Sequence, residues 1–125
     1  MLQKPLSEIT IDDLSELVAN AVSESRNLEF KRELCGTTDS DKKEFLADVS
    51  AFANATGGDL IFGIDEVDGV ASAIVGVQNN DLDSQILRLE SLIRDGIEPR
   101  IPGVRCQLIP SGSLGPVLIL SLIHI

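Results

Sequence analysis

The sequence predicts an α+β domain in which helices pack on a mixed β-sheet. Amphipathic stretches at helical spacing alternate with short apolar runs typical of strands, and glycine or proline separates them. The predicted order is α-β-α-β-β-α-β-β, which places the helices on a sheet. With 125 residues, 43% of them hydrophobic and 24% charged, the chain is expected to form one globular domain over residues 1–125.

A helix and a strand open the chain. The segment "IDDLSELVANAV" follows Thr10, carries two aspartates in its first turn and has apolar residues at helical spacing, so it predicts the first helix. The segment "NLEFKREL" alternates in polarity and predicts a half-buried strand. Strand parity then places Leu28 and Phe30 on the core side, with Glu29 and Lys31 together on the other side.

A second helix and a hairpin follow. Asp41 and Glu44 have the spacing of a capping box, which predicts a helix that ends near Ala55. The apolar runs "DLIFGI" and "ASAIVGV" flank a segment containing Asp68-Gly69, a strong hairpin-turn dipeptide. Two antiparallel strands are expected here.

The last third predicts a helix and two strands. Apolar residues keep helical spacing from Asp81 or Asp83 to about Gly96, and Pro99 and Pro102 prevent continuation. The segments "VRCQLIP" and "PVLILSLIHI" then predict two strands. The chain stops inside its most apolar strand, which suits either a final central strand or the N-terminal piece of a longer protein, and we expect the second.

Charge and cysteine content limit the classes of function. Twenty acidic and ten basic residues give a net charge of −10, which argues against a general grip on nucleic acid, so any polyanion site must be local. The two cysteines, Cys35 and Cys106, form no paired motif, which favours a reducing, cytoplasmic location. No apolar stretch approaches the ~20 residues that span a membrane.

The strand pair Glu29 and Lys31 is the first candidate site. A carboxylate that holds a hard cation beside a lysine that steadies a phosphate is an arrangement used by metal-dependent nucleases. The alternative is a solvated surface ion pair. Glu24 at the helix-to-strand junction and Asp65 at a strand end would add two carboxylates, and ligation by oxygen alone favours magnesium, manganese or calcium.

Lys42 and Lys43 are the second candidate site. They lie near the predicted start of the second helix, where free amides and two ammonium groups suit a phosphate. Two solvated lysines are the alternative. The "ATGG" segment is not a P-loop, because it ends a helix and no Gly-Lys-Ser or Gly-Lys-Thr follows it.

The segments "ESRNLEFKREL", "FLADVSAFANATGGDLIFGIDE" and "IVGV" resemble the Schlafen-type AlbA-like domain (AlbA_2) from about residue 24 to residue 77. Weaker similarity continues to the last strands. Such domains open longer bacterial proteins described as transcriptional regulators or ATP-binding proteins. The resemblance therefore implies a nucleic-acid-binding domain at the N-terminus of a longer chain.

In the Schlafen ribonuclease branch, the resemblance further implies a carboxylate trio that cuts RNA with a divalent metal. Matched by motif, the trio is Glu24, Glu29 and Asp65, which would be both catalytic residues and ligands of magnesium or manganese, with Lys31 beside the scissile phosphate. The net charge of −10 weighs against cleavage. So do further acidic residues placed near Asp65 by the sequence, namely Asp59, Glu66 and Asp68.

The preferred interpretation is a nucleic-acid-binding domain of a bacterial transcriptional regulator, with DNA or RNA as partner. Its binding strip is expected to contain five basic residues: Arg26, Lys31, Arg32, Lys42 and Lys43. The first alternative is a divalent-metal-dependent endoribonuclease, and the second is a non-catalytic assembly or sensor module. The apolar terminal strand, if it lies at a sheet edge, also predicts a homodimer through that strand or through the third helix.

Overall fold

Three α-helices and six strands make up the part of the chain that the computed structural model describes, which is residues 2, 4–55, 57–78, 81–97 and 103–123. In chain order they are α1 (Ile11–Ala19), β1 (Leu28–Lys31), α2 (Asp39–Asn54), β2 (Gly57–Phe62), β3 (Ile64–Val67), β4 (Val70–Ile74), α3 (Leu82–Gly96), β5 (Val104–Ile109) and β6 (Val117–Ile123). Short 3-10 turns occupy Leu6–Glu8 and Gly112–Leu114. The predicted helix stops Pro99 and Pro102 lie outside the described residues.

The main sheet is mixed, which confirms the predicted α+β class. Its four strands run in the order β1-β2-β6-β5; β1 and β2 are parallel, and the other two pairings are antiparallel. β6, the apolar terminal strand, lies between β2 and β5. The condition for a homodimer through this strand, a position at the sheet edge, is therefore not met, since both of its edges already have backbone partners.

The predicted strand "DLIFGI" is divided at Gly63. The residues before it belong to β2, whereas β3 begins after it and pairs with β4 in a separate two-stranded sheet. Gly63 has φ +107°, and a Cβ there would lie 3.2 Å from the backbone of Gly76, so the bend suits glycine. The hairpin turn was predicted correctly, since Asp68 and Gly69 both have positive φ.

Two apolar clusters cover the two faces of the main sheet. On the first face, called the α2–α3 face, Phe45, Val49 and Leu89 pack on β2 and β6. On the second, called the α1 face, Leu14 and the β3–β4 hairpin pack over Leu28 and Phe30 of β1. None of the described helices is both long and apolar enough to cross a bilayer.

Helix α2 begins three residues earlier than the sequence indicated, since its N-cap is residue 38 and not residue 41. Its N-cap is Thr38, whose hydroxyl accepts the Asp41 N–H at 3.1 Å, while the Asp41 carboxylate accepts the Thr38 N–H at 3.4 Å. The predicted capping box of Asp41 with Glu44 was therefore wrong. In the observed box, Thr38 is the N-cap residue and Asp41 is the acidic residue at N3. Lys42 consequently follows the first helical turn, and Glu44 is available for other contacts.

Thr38→Ala is expected to lower the free energy of unfolding by about 1 kcal/mol, because it removes the hydroxyl that accepts the Asp41 N–H. Urea unfolding followed by circular dichroism measures the loss. Thr37→Ala is the matched control, since Thr37 precedes the cap, and it should change stability much less. Equal losses in the two variants would show that the cap does not set the start of α2.

Candidate functional site

Lys31 lies at the centre of a compact group of charges on the α2–α3 face. Its Nζ lies 3.4 Å from Glu29 Oε1, 3.1 Å from Glu44 Oε1 and 3.4 Å from Asp48 Oδ2. We call these four residues the Lys31 cluster. The prediction that Glu29 and Lys31 share one face of β1 is confirmed, while Leu28 and Phe30 are buried on the other.

The electrostatics of the cluster favour a charged lysine and disfavour a charged Glu29. Burial opposes the charge on Lys31, but the surrounding carboxylates outweigh it and raise its pKa. Burial, followed by repulsion from Asp48, raises the pKa of Glu29 despite the nearby ammonium group. Asp48 Oδ2 is buried and accepts no hydrogen bond. One ammonium group therefore offsets the negative charge of three carboxylates, and the charge of Lys31 is already paired within the cluster.

Sequence reasoning missed Glu44 and Asp48 as members of this cluster. The sequence pattern places Glu44 in a helix cap and gives no role to Asp48. Their four-residue separation on α2 was the available signal, because side chains at that spacing share one face of a helix.

The Glu24 carboxylate accepts a hydrogen bond from the backbone of β1. Its Oε2 accepts the Phe30 N–H at 2.9 Å, and Ser25 exchanges two backbone hydrogen bonds with Leu28. These contacts cover the edge of β1 that faces away from β2, where the N–H groups would otherwise lack a strand partner. The Glu24 N–H also donates to Gly69 O at 2.7 Å, which joins this segment to the β3–β4 hairpin.

Asp65 pairs with Arg32 beyond the end of β1. Arg32 Nη1 lies 2.9 Å from Asp65 Oδ2, and Asp65 Oδ1 accepts the N–H of Glu66. The pair links the main sheet to the hairpin on the α1 face. Asp59, which the sequence placed near Asp65, instead lies buried on β2 and accepts the Leu2 N–H at 2.8 Å. In the sheet it pairs with Leu28, at the start of β1, whereas Arg32 follows the end of that strand.

The proposed metal ligands are not gathered into one ligand set. The carboxylate of Glu24 accepts a backbone N–H, that of Glu29 contacts Lys31, and that of Asp65 contacts Arg32. Across the described ranges, no three His, Cys, Asp or Glu side chains are placed to hold a metal ion. As arranged, these residues do not fit magnesium or manganese, and that site stays a prediction which requires different side-chain positions.

The basic residues of the predicted strip come from different parts of the fold. Arg26 precedes the amino end of β1, whereas Lys42 and Lys43 lie on α2, which starts beyond the carboxyl end of β1. Lys31 and Arg32 are each paired with carboxylates. Within the described part of the chain, Arg26, Lys42 and Lys43 have no carboxylate within ion-pair distance.

A polar cavity of about 570 Å³ lies beside Arg32, between the β1–α2 loop and the start of α3. The Arg88 guanidinium reaches across from α3 and donates to the carbonyls of Cys35 and Gly36. This contact fixes the loop that leads into α2, and hence the position of Lys42 and Lys43.

Comparisons with known proteins agree with this architecture. A family model described as "Schlafen, AlbA_2" matches residues 24–123. No curated protein matches the chain at the level of sequence.

A similar solved structure is the solution NMR structure of the "N-terminal Domain of Putative ATP-dependent DNA Helicase RecG-related Protein" from Nitrosomonas europaea. It shares 28% sequence identity with this chain, with a TM-score of 0.62, and the match covers 89% of this chain and 70% of that one. Because the family model spans most of the chain and the fold agrees, the protein belongs to the Schlafen AlbA_2 family.

Proposed function

We propose that this domain binds nucleic acid locally, as the N-terminal module of a bacterial transcriptional regulator. Family membership and the likeness to a domain named for its relation to a DNA helicase support a nucleic-acid partner. The observation that carries the proposal is that the basic side chains near the end of β1 differ in whether they form ion pairs with carboxylates. Lys31 and Arg32 are neutralised by carboxylates, whereas Lys42 and Lys43, among the described side chains, are not.

Binding through Lys42 and Lys43 is expected to be weak and strongly localised. A net charge of −10 repels a polyanion from most of the surface. Two phosphate contacts give a slope of about −1.4 to −1.8 in a plot of log affinity against log salt. Lys31 and Arg32 would contribute only if phosphate displaced their carboxylate partners, and Arg26 lies at the other end of β1.

Replacing Lys42 and Lys43 together by alanine is expected to remove most of the affinity and most of the salt slope. Fluorescence anisotropy with labelled single-stranded and duplex DNA and RNA, measured at several salt concentrations, tests this. Lys4→Ala with Arg94→Ala is the matched control, because it removes the same charge from α1 and α3 ion pairs. A flat salt response, or equal losses in both double variants, would contradict a local site.

The non-catalytic assembly or sensor module is the second candidate, favoured by one observation. The charged residues of the proposed catalytic trio all have structural partners: Phe30 N–H, Lys31 and Arg32. A module of this kind needs neither nucleic acid nor metal. The endoribonuclease alternative requires cleavage that depends on magnesium or manganese, so incubation of the nucleic acids with each metal separates it from the other two functions. The salt-dependent binding measurement separates those two from each other.

A further inference from the structure

Among the described residues, β5 forms an open edge of the main sheet and has regular geometry. It pairs with β6 over all six residues without a bulge, and no other described residue forms a backbone hydrogen bond with it. Its sequence, VRCQLI, contains no proline or lysine and one charge, Arg105. Exposed edge strands usually carry proline, lysine or other charged residues, which prevent pairing with another chain. The opposite edge of the sheet, at β1, is covered by Glu24 and Ser25.

We propose that β5 pairs in antiparallel orientation with β5 of a second copy of this chain, around a two-fold axis that passes through Cys106. The two four-stranded sheets then form one continuous sheet. A second copy is the occupant that the sequence of β5 fits, because the strand is self-complementary in this register.

The register follows from strand parity. Residues directly opposite each other in an antiparallel pair point to the same face, so the axis must pass through a residue of β5. With the axis at Cys106, Val104 lies opposite Leu108 on the α2–α3 face, and Arg105 lies opposite Gln107 on the α1 face. An axis at Arg105 would place two like charges opposite each other, and an axis at Gln107 would place Arg105 opposite the apolar Ile109.

Both faces of the proposed interface have suitable surroundings. On the α2–α3 face, Val104, Cys106 and Leu108 pack only partly against the core, so the second copy would extend that apolar layer. Burial, followed by the negative charge of Glu90 on α3, raises the pKa of the Cys106 thiol, and Leu87, one turn before Glu90, is 66% exposed. On the α1 face, a cavity of about 460 Å³ beside Arg105 and Gln107 leaves room for the opposing side chains.

The first experiment uses two substitutions at one position. In the proposed register, the dimer contains two equivalent pairs of residue 107 with Arg105 of the other copy. Gln107→Glu should therefore tighten the dimer by about two- to tenfold, and Gln107→Lys should weaken it by a similar factor. Repulsion between chains of net charge −10 predicts the reverse order, since Glu adds negative charge and Lys removes it. Sedimentation equilibrium of the wild type and both variants measures the dissociation constants.

The second experiment locates the axis with single-cysteine variants. Opposite residues in an antiparallel pair have Cα atoms about 4.5–5.5 Å apart, which lies within reach of a disulfide. Prolonged copper-catalysed oxidation of Cys35→Ala should give a covalent dimer through Cys106, and Cys106→Ala should give none.

A chain that stays a 13.4 kDa monomer at high protein concentration would overturn the proposal. The proposal would also be overturned if Gln107→Lys formed the tighter dimer and Gln107→Glu the weaker one, as net charge predicts. A covalent dimer that forms through Cys35 instead of Cys106 would overturn it as well.

Discussion

Lys31→Met is expected to lower the free energy of unfolding by about 2–3 kcal/mol. The variant keeps the aliphatic length of the side chain but leaves Glu29, Glu44 and Asp48 without their shared ammonium group. Removing one partner of a fully buried ion pair costs ~3–5 kcal/mol, and the value here is lower because the Lys31 side chain is 27% exposed. Urea unfolding near neutral pH measures the change.

The loss is expected to shrink as the solution is acidified. Burial and Asp48 already raise the pKa of Glu29, and Lys31 is the group that opposes this rise. The folded state thus already binds a proton at Glu29 more readily than the unfolded state does, and removing Lys31 enlarges this difference. Stability of the variant then falls as pH rises from the unfolded to the folded pKa of Glu29, and it is regained as pH falls through the same window. Unfolding curves at several pH values between neutrality and about 4.3 test the sign.

Glu44→Gln is the control for this experiment. Glu44 also contacts Lys31, but its side chain is 67% exposed, so the expected loss is about 0.5 kcal/mol or less. A Lys31→Met variant as stable as the wild type would show that the cluster does not support the fold. Lys31 would then be free to serve a phosphate, as the nuclease interpretation requires.

Local patterns predicted the orientation of the site, because a strand has a fixed two-residue period. Parity alone placed Glu29 and Lys31 on one face, opposite Phe30, and the structure agrees. Turn chemistry likewise located the hairpin at Asp68-Gly69, where both residues need positive φ.

Features that depend on how distant elements meet could not be predicted in this way. Glu44 and Asp48 reach Lys31 because α2 packs across β1, and the helical pattern alone gives no crossing position. The central position of β6 is a matter of strand order, which its apolar sequence allows but does not require. Arg32 pairs with Asp65 only because Gly63 turns β3 away from the main sheet.

The partners of the carboxylate trio determine which experiment separates structure from catalysis. A ligand residue and an edge-capping residue respond differently to the replacement of a carboxylate by an amide. A glutamine keeps an oxygen that accepts a backbone N–H, but it is a poorer ligand than a carboxylate for a hard cation. Glu24 is suited to this comparison, since its carboxylate has one well-defined partner, the Phe30 N–H.

Glu24→Ala is expected to lower the free energy of unfolding by about 1–3 kcal/mol, because the Phe30 N–H on the edge of β1 loses its acceptor. Glu24→Gln should restore most of that stability, since the amide oxygen can take the same position. Urea unfolding of both variants, with and without magnesium or manganese, measures the two effects. If the carboxylate caps the edge, stability follows the order wild type, Gln, Ala, and added metal changes none of the three. If Glu24 is a metal ligand, metal should stabilise the wild type alone. That result would contradict the capping role as a full account of Glu24 and would support a rearranged metal site with Glu29 and Asp65.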